Sequence, residues 1–320
     1  MDRRQFCQNA SLLSFLNWVE VSTPTSNKKI VAQIGICTDV HHGLIPDSES
    51  RLSSFIDEMN RLKPDFIIQL GDFCFPKESS QSFINIWKGF KGAAYHVIGN
   101  HDTDGGFSHQ QVVDFWQMPA PYYSFDKNDF HFVVLNGNEK NPNGQLKGYP
   151  RYVSKAQRQW LKQDLATTHL PVIIFCHQGL DNDNNGIENA TAVKLILEEA
   201  NQNAGSNKVK LVLSGHHHQD YHNVINGIHY VQINSMSYFW VGDKNKSSGY
   251  DAETEKKFPY LKSMAVYKDP LWARLIIYSD GHLEIQGKKS QFLGDSPASI
   301  DEIASEVPYA IVPYISNRKF

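Results

Sequence analysis

The stretch IVAQIGICTDVH, residues 30–41, reads as a strand that ends on ligand-type side chains. Its first eight residues are apolar or β-branched with no helical spacing, as in a strand covered on both faces. They run directly into Asp39 and His41. Working outward, Leu52, Phe55, Ile56, Met59 and Leu62 recur at intervals of three and four and predict a helix. That helix stops before Pro64, because the residue preceding a proline disfavours the α region. FIIQL is a second strand, delivering Gly71 and Asp72, and Phe83, Ile86, Trp87 and Phe90 mark another helix. AYHVI is a third strand, running into Gly99, Asn100 and His101. HFVVLN is a further strand, and Ser154 is the N-cap of a helix carrying Trp160, Leu161 and Leu165. PVIIFC leads straight to His177, and after a helix through Ala192, Leu195, Ile196 and Glu199 the strand VKLVL ends at Gly215, His216, His217 and His218.

Strands alternating with helices predict a layered α/β protein. Five of the strands place polar side chains at their C-terminal ends, where the loops of open α/β sheets converge on a crevice. The later sequence turns mainly to β: YHNVINGIHYVQI is a hairpin on Asn226-Gly227, and ARLIIYSDGHLEIQG is another on Asp280-Gly281.

The 320 residues are 41% hydrophobic and 20% charged, with a formal net charge of -3, so no global basic field is available to hold a nucleic-acid polymer. No apolar stretch has the length needed to span a bilayer. The four cysteines lack CxxC spacing, and Cys37 and Cys176 sit inside apolar runs, so they are expected to be core residues. At the N-terminus, Arg3 and Arg4 ahead of ASLLSFLNW resemble a twin-arginine export signal. Residues 1–28 are then a signal and linker, 29–320 a single domain, and the mature protein is periplasmic or otherwise outside the cytoplasm. The alternative is a surface helix with two chance arginines and a cytoplasmic protein.

Any one of the strand-end residues has an ordinary explanation as a cap or hydrogen-bonding group. The ordered series DVH, GD, GNHD, CH and GHHH does not, because each member follows a strand and each supplies oxygen or nitrogen donors. Carboxylate, amide and imidazole donors suit Mn, Fe or Zn and argue against a thiolate-bound structural zinc. In an extended segment Asp39 and His41 share one side of the chain, as do His216 and His218, so each pair is expected to chelate, or straddle, adjacent cations. Gly71, Gly99 and Gly215 each precede a donor, where the missing Cβ permits close approach.

From Asp39 to His218 this series resembles the motifs of the calcineurin-like metallophosphoesterase superfamily. The resemblance implies a four-layer αββα sandwich of two mixed β-sheets flanked by helices, with the C-terminal hairpins completing the second sheet. It implies two divalent cations, one on Asp39, His41 and His218, the other on Asn100, His177 and His216, bridged by Asp72. Asn100 and His101 then contact a small phosphorylated substrate, and His101 is a catalytic group that meets the phosphoryl group or protonates the leaving oxygen. The implied reaction is in-line attack on a phosphoester by a hydroxide bridging the two cations. His42 and His217 are not carried over.

Several branches of the superfamily place an orienting acid three residues after the bridging aspartate, and another branch a tyrosine ligand. Phe75 stands there in this chain. An orienting carboxylate must come from elsewhere, and Asp102, adjacent to His101, is poorly placed because neighbouring side chains face apart. Tyr238, Phe239 and Trp240 either line the substrate pocket or pack in the core. A phosphomonoesterase or phosphodiesterase is the leading expectation. A nucleotide pyrophosphatase or cyclic-nucleotide phosphodiesterase on the same centre, or a non-catalytic metal-binding scaffold, are the alternatives.

Overall fold

Alternating side chains of the central strands face two different cores, and this builds the layers. In a computed structural model, which describes residues 28–144, 147–182, 184–242, 248–297 and 308–320, Phe132 and Val134 belong to one buried cluster, while Val133 and Leu135 belong to another. Ile173 and Phe175 likewise alternate with Val172, Ile174 and Cys176. The segment from Arg3 to Trp18, where the export signal is expected, lies outside the described residues.

The elements in chain order are β1 (Ile30–Cys37), α1 (Ser48–Leu62), β2 (Phe66–Gln69), α2 (Gln81–Trp87), β3 (Ala93–His96) and α3 (His109–Trp116). They continue with β4 (Tyr123–Lys127), β5 (Phe130–Val134), α4 (Lys155–Thr167), β6 (Val172–Cys176), α5 (Ala190–Ala204) and β7 (Val209–Ser214). The remainder is β8 (Tyr221–Ile225), β9 (Ile228–Gln232), β10 (Tyr238–Trp240), α6 (Ala252–Lys257), β11 (Met264–Val266), β12 (Ala273–Tyr278), β13 (Leu283–Gly287) and β14 (Arg318–Lys319).

One six-stranded sheet has the order β14-β13-β12-β1-β2-β3 and the other β4-β5-β6-β7-β9-β8; β10 and β11 form a separate pair. Within the first, β1, β2 and β3 are parallel and β12 is antiparallel to β1. Within the second, β5, β6, β7 and β9 are parallel, edged by antiparallel β4 and β8. Ile34, Ile36, Phe66 and Ile68 of the first sheet share a core with Phe132, Phe175, Leu211 and Leu213 of the second. Leu52, Phe55, Ile56 and Met59 of α1 and Phe83 and Trp87 of α2 pack on that same core. Leu161 and Leu165 of α4 and Val193 and Leu197 of α5 cover the far face of the second sheet. The four-layer expectation holds.

Local expectations hold where chain chemistry sets them. Helix α1 ends at Lys63 in the left-handed conformation immediately before Pro64, and the Ser154 side chain caps α4 by accepting the Gln157 N–H at 3.2 Å. Asn226 and Gly227 both have positive φ, 50° and 78°, as a type I′ hairpin requires. Cys37, Cys74 and Cys176 are free and buried.

Two expectations need correction. Only β8–β9 joins the second sheet; the hairpin β12–β13 joins the first, as the antiparallel neighbour of β1. Periodicity shows that a strand is buried but not which edge supplies its partner. The turn at Asp280-Gly281 is also wider than two residues, since Tyr278 donates its N–H to His282 O and only Gly281 has positive φ.

The chain's end clamps the two sheets together. Asp220, just beyond His218, accepts from Ser316 N at 3.1 Å and from Arg318 Nη1 at 2.8 Å. Asn234 donates to the carbonyls of Val312 and Tyr314 at 2.7 and 3.1 Å. Among the described residues no helix is long and apolar enough to cross a membrane.

On β5, one strand in from the sheet edge, the buried ring of His131 bridges Asp126 Oδ1 at 2.6 Å and Asp164 Oδ2 at 2.8 Å. Burial alone would lower its pKa, but the hydrogen bonds to Asp164 and Asp126 outweigh burial and hold it above the ordinary histidine value. A raised folded-state value means the stabilisation is full below the unfolded pKa and is lost as pH rises through the folded one. His131→Gln should therefore lower the midpoint of thermal unfolding by several degrees at pH 6 and by much less at pH 9. A destabilisation equal at both pH values would show that the ring's charge contributes nothing.

Candidate metal centre

Two groups of three side chains straddle the seam between the sheets: Asp39, His41 and His218, and Asp72, His177 and His216, each with donor atoms within 4.8 Å of one another. The loops after β1 and β2 are joined by Asp39 N–H to Gly71 O at 3.0 Å and His41 N–H to Asp72 O at 2.9 Å. The loops after β6 and β7 are joined by Gly215 N–H to His177 O at 3.0 Å. Between sheets, His216 N–H donates to Asp39 Oδ2 at 3.0 Å and His177 Nδ1–H to Leu70 O at 2.8 Å. The last bond fixes the His177 tautomer and leaves Nε2 free as a ligand.

The donor atoms are close. His218 Nε2 lies 3.1 Å from Asp39 Oδ1 and 3.2 Å from His41 Nε2. Asp72 Oδ2 lies 3.2 Å from His177 Nε2 and 3.7 Å from His41 Nε2, so this one oxygen reaches both groups. Asn100 Oδ1 is 3.1 Å from His177 Nε2, which adds it to the second group. All seven side chains of the expected ligand series are therefore brought together. The reason given for the paired spacing is wrong, however. Asp39, His41, His216 and His218 do not lie in extended chain; their φ angles are 52°, 51°, 77° and 52°, and that of Asp72 is 52°. Five donors on left-handed backbone turn inward from tight turns, at a strain of roughly 1 kcal/mol or more each.

The electrostatics fit a cation. Burial pushes His41 down to about 3 and His216 well below the ordinary value, so both rings are neutral and present lone pairs. Burial would raise Asp39 and Asp72, but the facing histidines outweigh it and hold both carboxyls below the usual range. For His177, burial is outweighed by the Asp72 carboxylate, which raises it to about 9. Among the described residues neither Asp39 nor Asp72 is ion-paired with a lysine or arginine; their partners are histidines alone. Two buried carboxylates, the neutral imidazoles of His41 and His216 and an amide oxygen, with no lysine or arginine paired to them, are a donor set for divalent metal, which would replace the proton that Asp72 holds on His177.

Glycine makes the convergence sterically feasible at two positions. Gly71 has φ of 105°, and a Cβ there would strike the His177 ring; a Cβ on Gly99 would strike the backbone nitrogen and carboxylate of Asp72.

His101 sits above the first group, its ring centroid 5.2 Å from that of His41, with its backbone N–H donated to Asp72 Oδ1 at 2.8 Å. Burial would lower its pKa, but Asp72 and the hydrogen bond to Asp104 raise it to about 8. Asp102 is turned away from it, as the sequence implied, and instead accepts four backbone N–H groups: Gly99 and Phe73 at 2.7 Å, Asp72 at 2.9 Å and Cys74 at 3.1 Å. The carboxylate on His101 is Asp104, with Oδ2 2.7 Å from Nδ1. Sequence reasoning missed it, although its position three residues on, across a 3₁₀ turn over His101–Thr103, is the available signal. His42 stacks on Phe83 and His217 bonds Tyr221 OH, so both stand outside the ligand groups.

The donors open into a cavity of about 880 Å³ whose wall includes Phe75, Tyr149, Arg151, Trp240 and Tyr260. Of the aromatic run SYFW, Tyr238, Phe239 and Trp240 all line the cavity, and Tyr238 and Phe239 are also buried in core clusters while Trp240 is 47% exposed, so the pocket reading holds for all three and the core reading for two. Tyr149, Arg151 and Tyr260 lie in segments without periodicity, and no sequence signal points to them.

The family model for calcineurin-like phosphoesterases matches residues 32–220. A 3',5'-cyclic-nucleotide phosphodiesterase from Nostoc sp. is 23% identical over 270 residues, spanning 78% of this chain and 93% of the relative. A dimetal phosphatase from Danio rerio shares the fold, with a TM-score of 0.61 at 15% identity over 84% of this chain and 100% of that one.

Because Gly99 abuts Asp72, Gly99→Ala should displace the shared carboxylate and cost the protein at least one of its two cations while leaving the fold intact. Elemental analysis alongside circular dichroism measures this. Full metal occupancy in a folded Gly99→Ala protein would show that the close approach is not what positions Asp72.

Proposed function

The chain belongs to the calcineurin-like phosphoesterase family and is a metal-dependent phosphoester hydrolase; we propose that it acts on phosphodiesters and phosphomonoesters bearing an organic ester group. In this reading Asp39, His41 and His218 hold one divalent cation, Asn100, His177 and His216 the other, and Asp72 lies between them. The observation that carries it is the position of Asp72 Oδ2, 3.2 Å from one donor group and 3.7 Å from the other. Two cations so held supply Lewis acidity, activating water and neutralising charge on the phosphoryl oxygens.

The remaining work falls to the protein's own groups. Leu70 O and the backbone N–H of His216 orient His177 and Asp39, keeping their metal-facing atoms in place. Asn100 and His101 face the substrate, and His101 delivers a proton to the leaving ester oxygen. Of the basic side chains Lys147 and Arg151 on the cavity wall, Arg151 is tied to Gly186 O at 3.1 Å and Asn185 Oδ1 at 3.0 Å, which takes its bidentate fork away from a dianionic monoester and favours the diester. A cyclic nucleotide is the second reading, supported by exposed Trp240 and Tyr260 on the cavity wall, whose rings, 6.3 Å apart and tilted 49° to one another, each offer an aromatic face for a base.

We also propose export from the cytoplasm, on the pairing of Arg3 and Arg4 ahead of a short apolar run. Replacing both by lysine should leave the protein in the cytoplasmic fraction; unchanged fractionation contradicts the assignment.

With Mn²⁺ added, bis-p-nitrophenyl phosphate, p-nitrophenyl phosphate, ADP-ribose and cyclic nucleotides separate these readings, with the diester expected to be the best substrate. Inactivity on all of them at full metal occupancy points to a scaffold. Asp72→Asn should abolish turnover and reduce bound metal, and unchanged metal content rejects the bridging role. His101→Ala should retain metal and lose on the order of 10²–10⁴ in rate.

A further inference from the structure

We propose that Asp104 and Tyr149 are positioning residues for His101, holding its ring so that Nε2, and not Nδ1, meets the leaving oxygen. The inference rests on the proton-donor reading of His101 given above. Three observations on different parts of the chain support it. Phe75 occupies the site where an orienting acid could have come from the loop after β2, and its ring carries Lys77 Nζ at 5.0 Å from the centroid instead. The 3₁₀ turn puts Asp104 on the same face as His101, with Oδ2 2.7 Å from Nδ1. Tyr149, more than forty positions along the chain, donates its hydroxyl to the same Oδ2 at 3.0 Å and lays its ring 4.7 Å from the imidazole.

An isolated surface pair of this kind contributes little, because water screens it and both side chains lose freedom. This pair differs in what is left free. The His101 backbone is already held through its N–H to Asp72 Oδ1 at 2.8 Å, so rotation of the ring is the remaining uncertainty in where its nitrogens point. Asp104 removes that rotation by accepting from Nδ1–H, and Tyr149 packs against the ring and holds the carboxylate. With Nδ1–H engaged, Nε2 is the nitrogen whose proton is transferable. As the ester P–O bond breaks, its electron pair stays on the departing oxygen, which takes the Nε2 proton. The water that adds to phosphorus releases one proton to solvent, and the ring is reprotonated from solvent, so hydrolysis is balanced.

The test compares diesters with p-nitrophenyl and phenyl leaving groups on the Mn²⁺-loaded protein, together with imidazole ¹⁵N–¹H spectra of the zinc-loaded protein. For Asp104→Asn, kcat on the phenyl ester should fall on the order of 10- to 100-fold, with less loss on the p-nitrophenyl ester, whose leaving group needs no proton. KM and metal content should stay as in the unmodified chain. Asp104→Glu should recover part of the loss, and Tyr149→Phe should show a smaller one. The double variant His101→Ala with Asp104→Asn should be no slower than His101→Ala alone. In the spectra, the Nδ1–H of His101 should appear as one hydrogen-bonded signal beside an exchanging Nε2–H, and should broaden or vanish in Asp104→Asn. Equal losses on both esters, losses that multiply with His101→Ala, or an unchanged His101 spectrum each overturn the proposal. If His101→Ala is itself fully active, the proton-donor reading fails, and the spectra alone then decide whether Asp104 positions the ring.

Discussion

The Asp102 carboxylate is the joint on which the centre is assembled. It takes backbone N–H groups from Asp72, Phe73 and Cys74 after β2 and from Gly99 after β3. Four amides that point into a buried seam would otherwise lack partners, each at a cost of roughly 1–3 kcal/mol. By satisfying them with one side chain, the protein locks two loops in one register. Asp72 gains its inward-facing position from that lock, and His101 takes its own from Asp72 Oδ1. The donor groups on either side can share Asp72 only because its backbone cannot move away.

Most of the centre could be read from sequence because each donor lies next to something with a strong pattern. Asp39, Asp72, Asn100, His177 and His216 all follow strands whose apolar runs are unmistakable, and chain order alone then brings loops of parallel strands to the same edge. The turn geometry could not be read so easily. A pattern of period two suggested extended chain at Asp39–His41 and His216–His218, whereas the donors sit in left-handed turns. Both backbones satisfy the same spacing, so spacing cannot tell them apart. The sheet membership of β12–β13 was hidden for a related reason, since a buried strand reads alike whichever sheet it completes. Tyr149 and Tyr260 come from irregular segments and reach the cavity only through tertiary packing.

The cavity wall is chemically divided. On one side are the histidines and carboxylates; on the other, Trp240 and Tyr260 expose large apolar rings, at 47% and 55% of their surface. The short β10–β11 pair makes this division, because Tyr238 and Trp240, two apart on β10, share one face of the strand, the first against the rings of His41 and His218 and the second at the mouth. One strand of three residues thus supports the donors and also shapes the entrance. A change in β10 is therefore felt both by the metal-binding rings and by whatever enters the cavity.

The pairing of β1 with β12 and the clamp of Ser316 and Arg318 on Asp220 set the order in which the molecule can be made. The strand that leads into Asp39 is made well before β12, one of its two neighbours in the sheet. Until then an apolar edge stands open, and the loop with His216 and His218 lacks its C-terminal brace. Contacts so distant along the chain close slowly. An unpaired edge in the interval is a target for aggregation and for chaperones. The side chains that would hold metal are accordingly braced only once strands far apart in the sequence have paired.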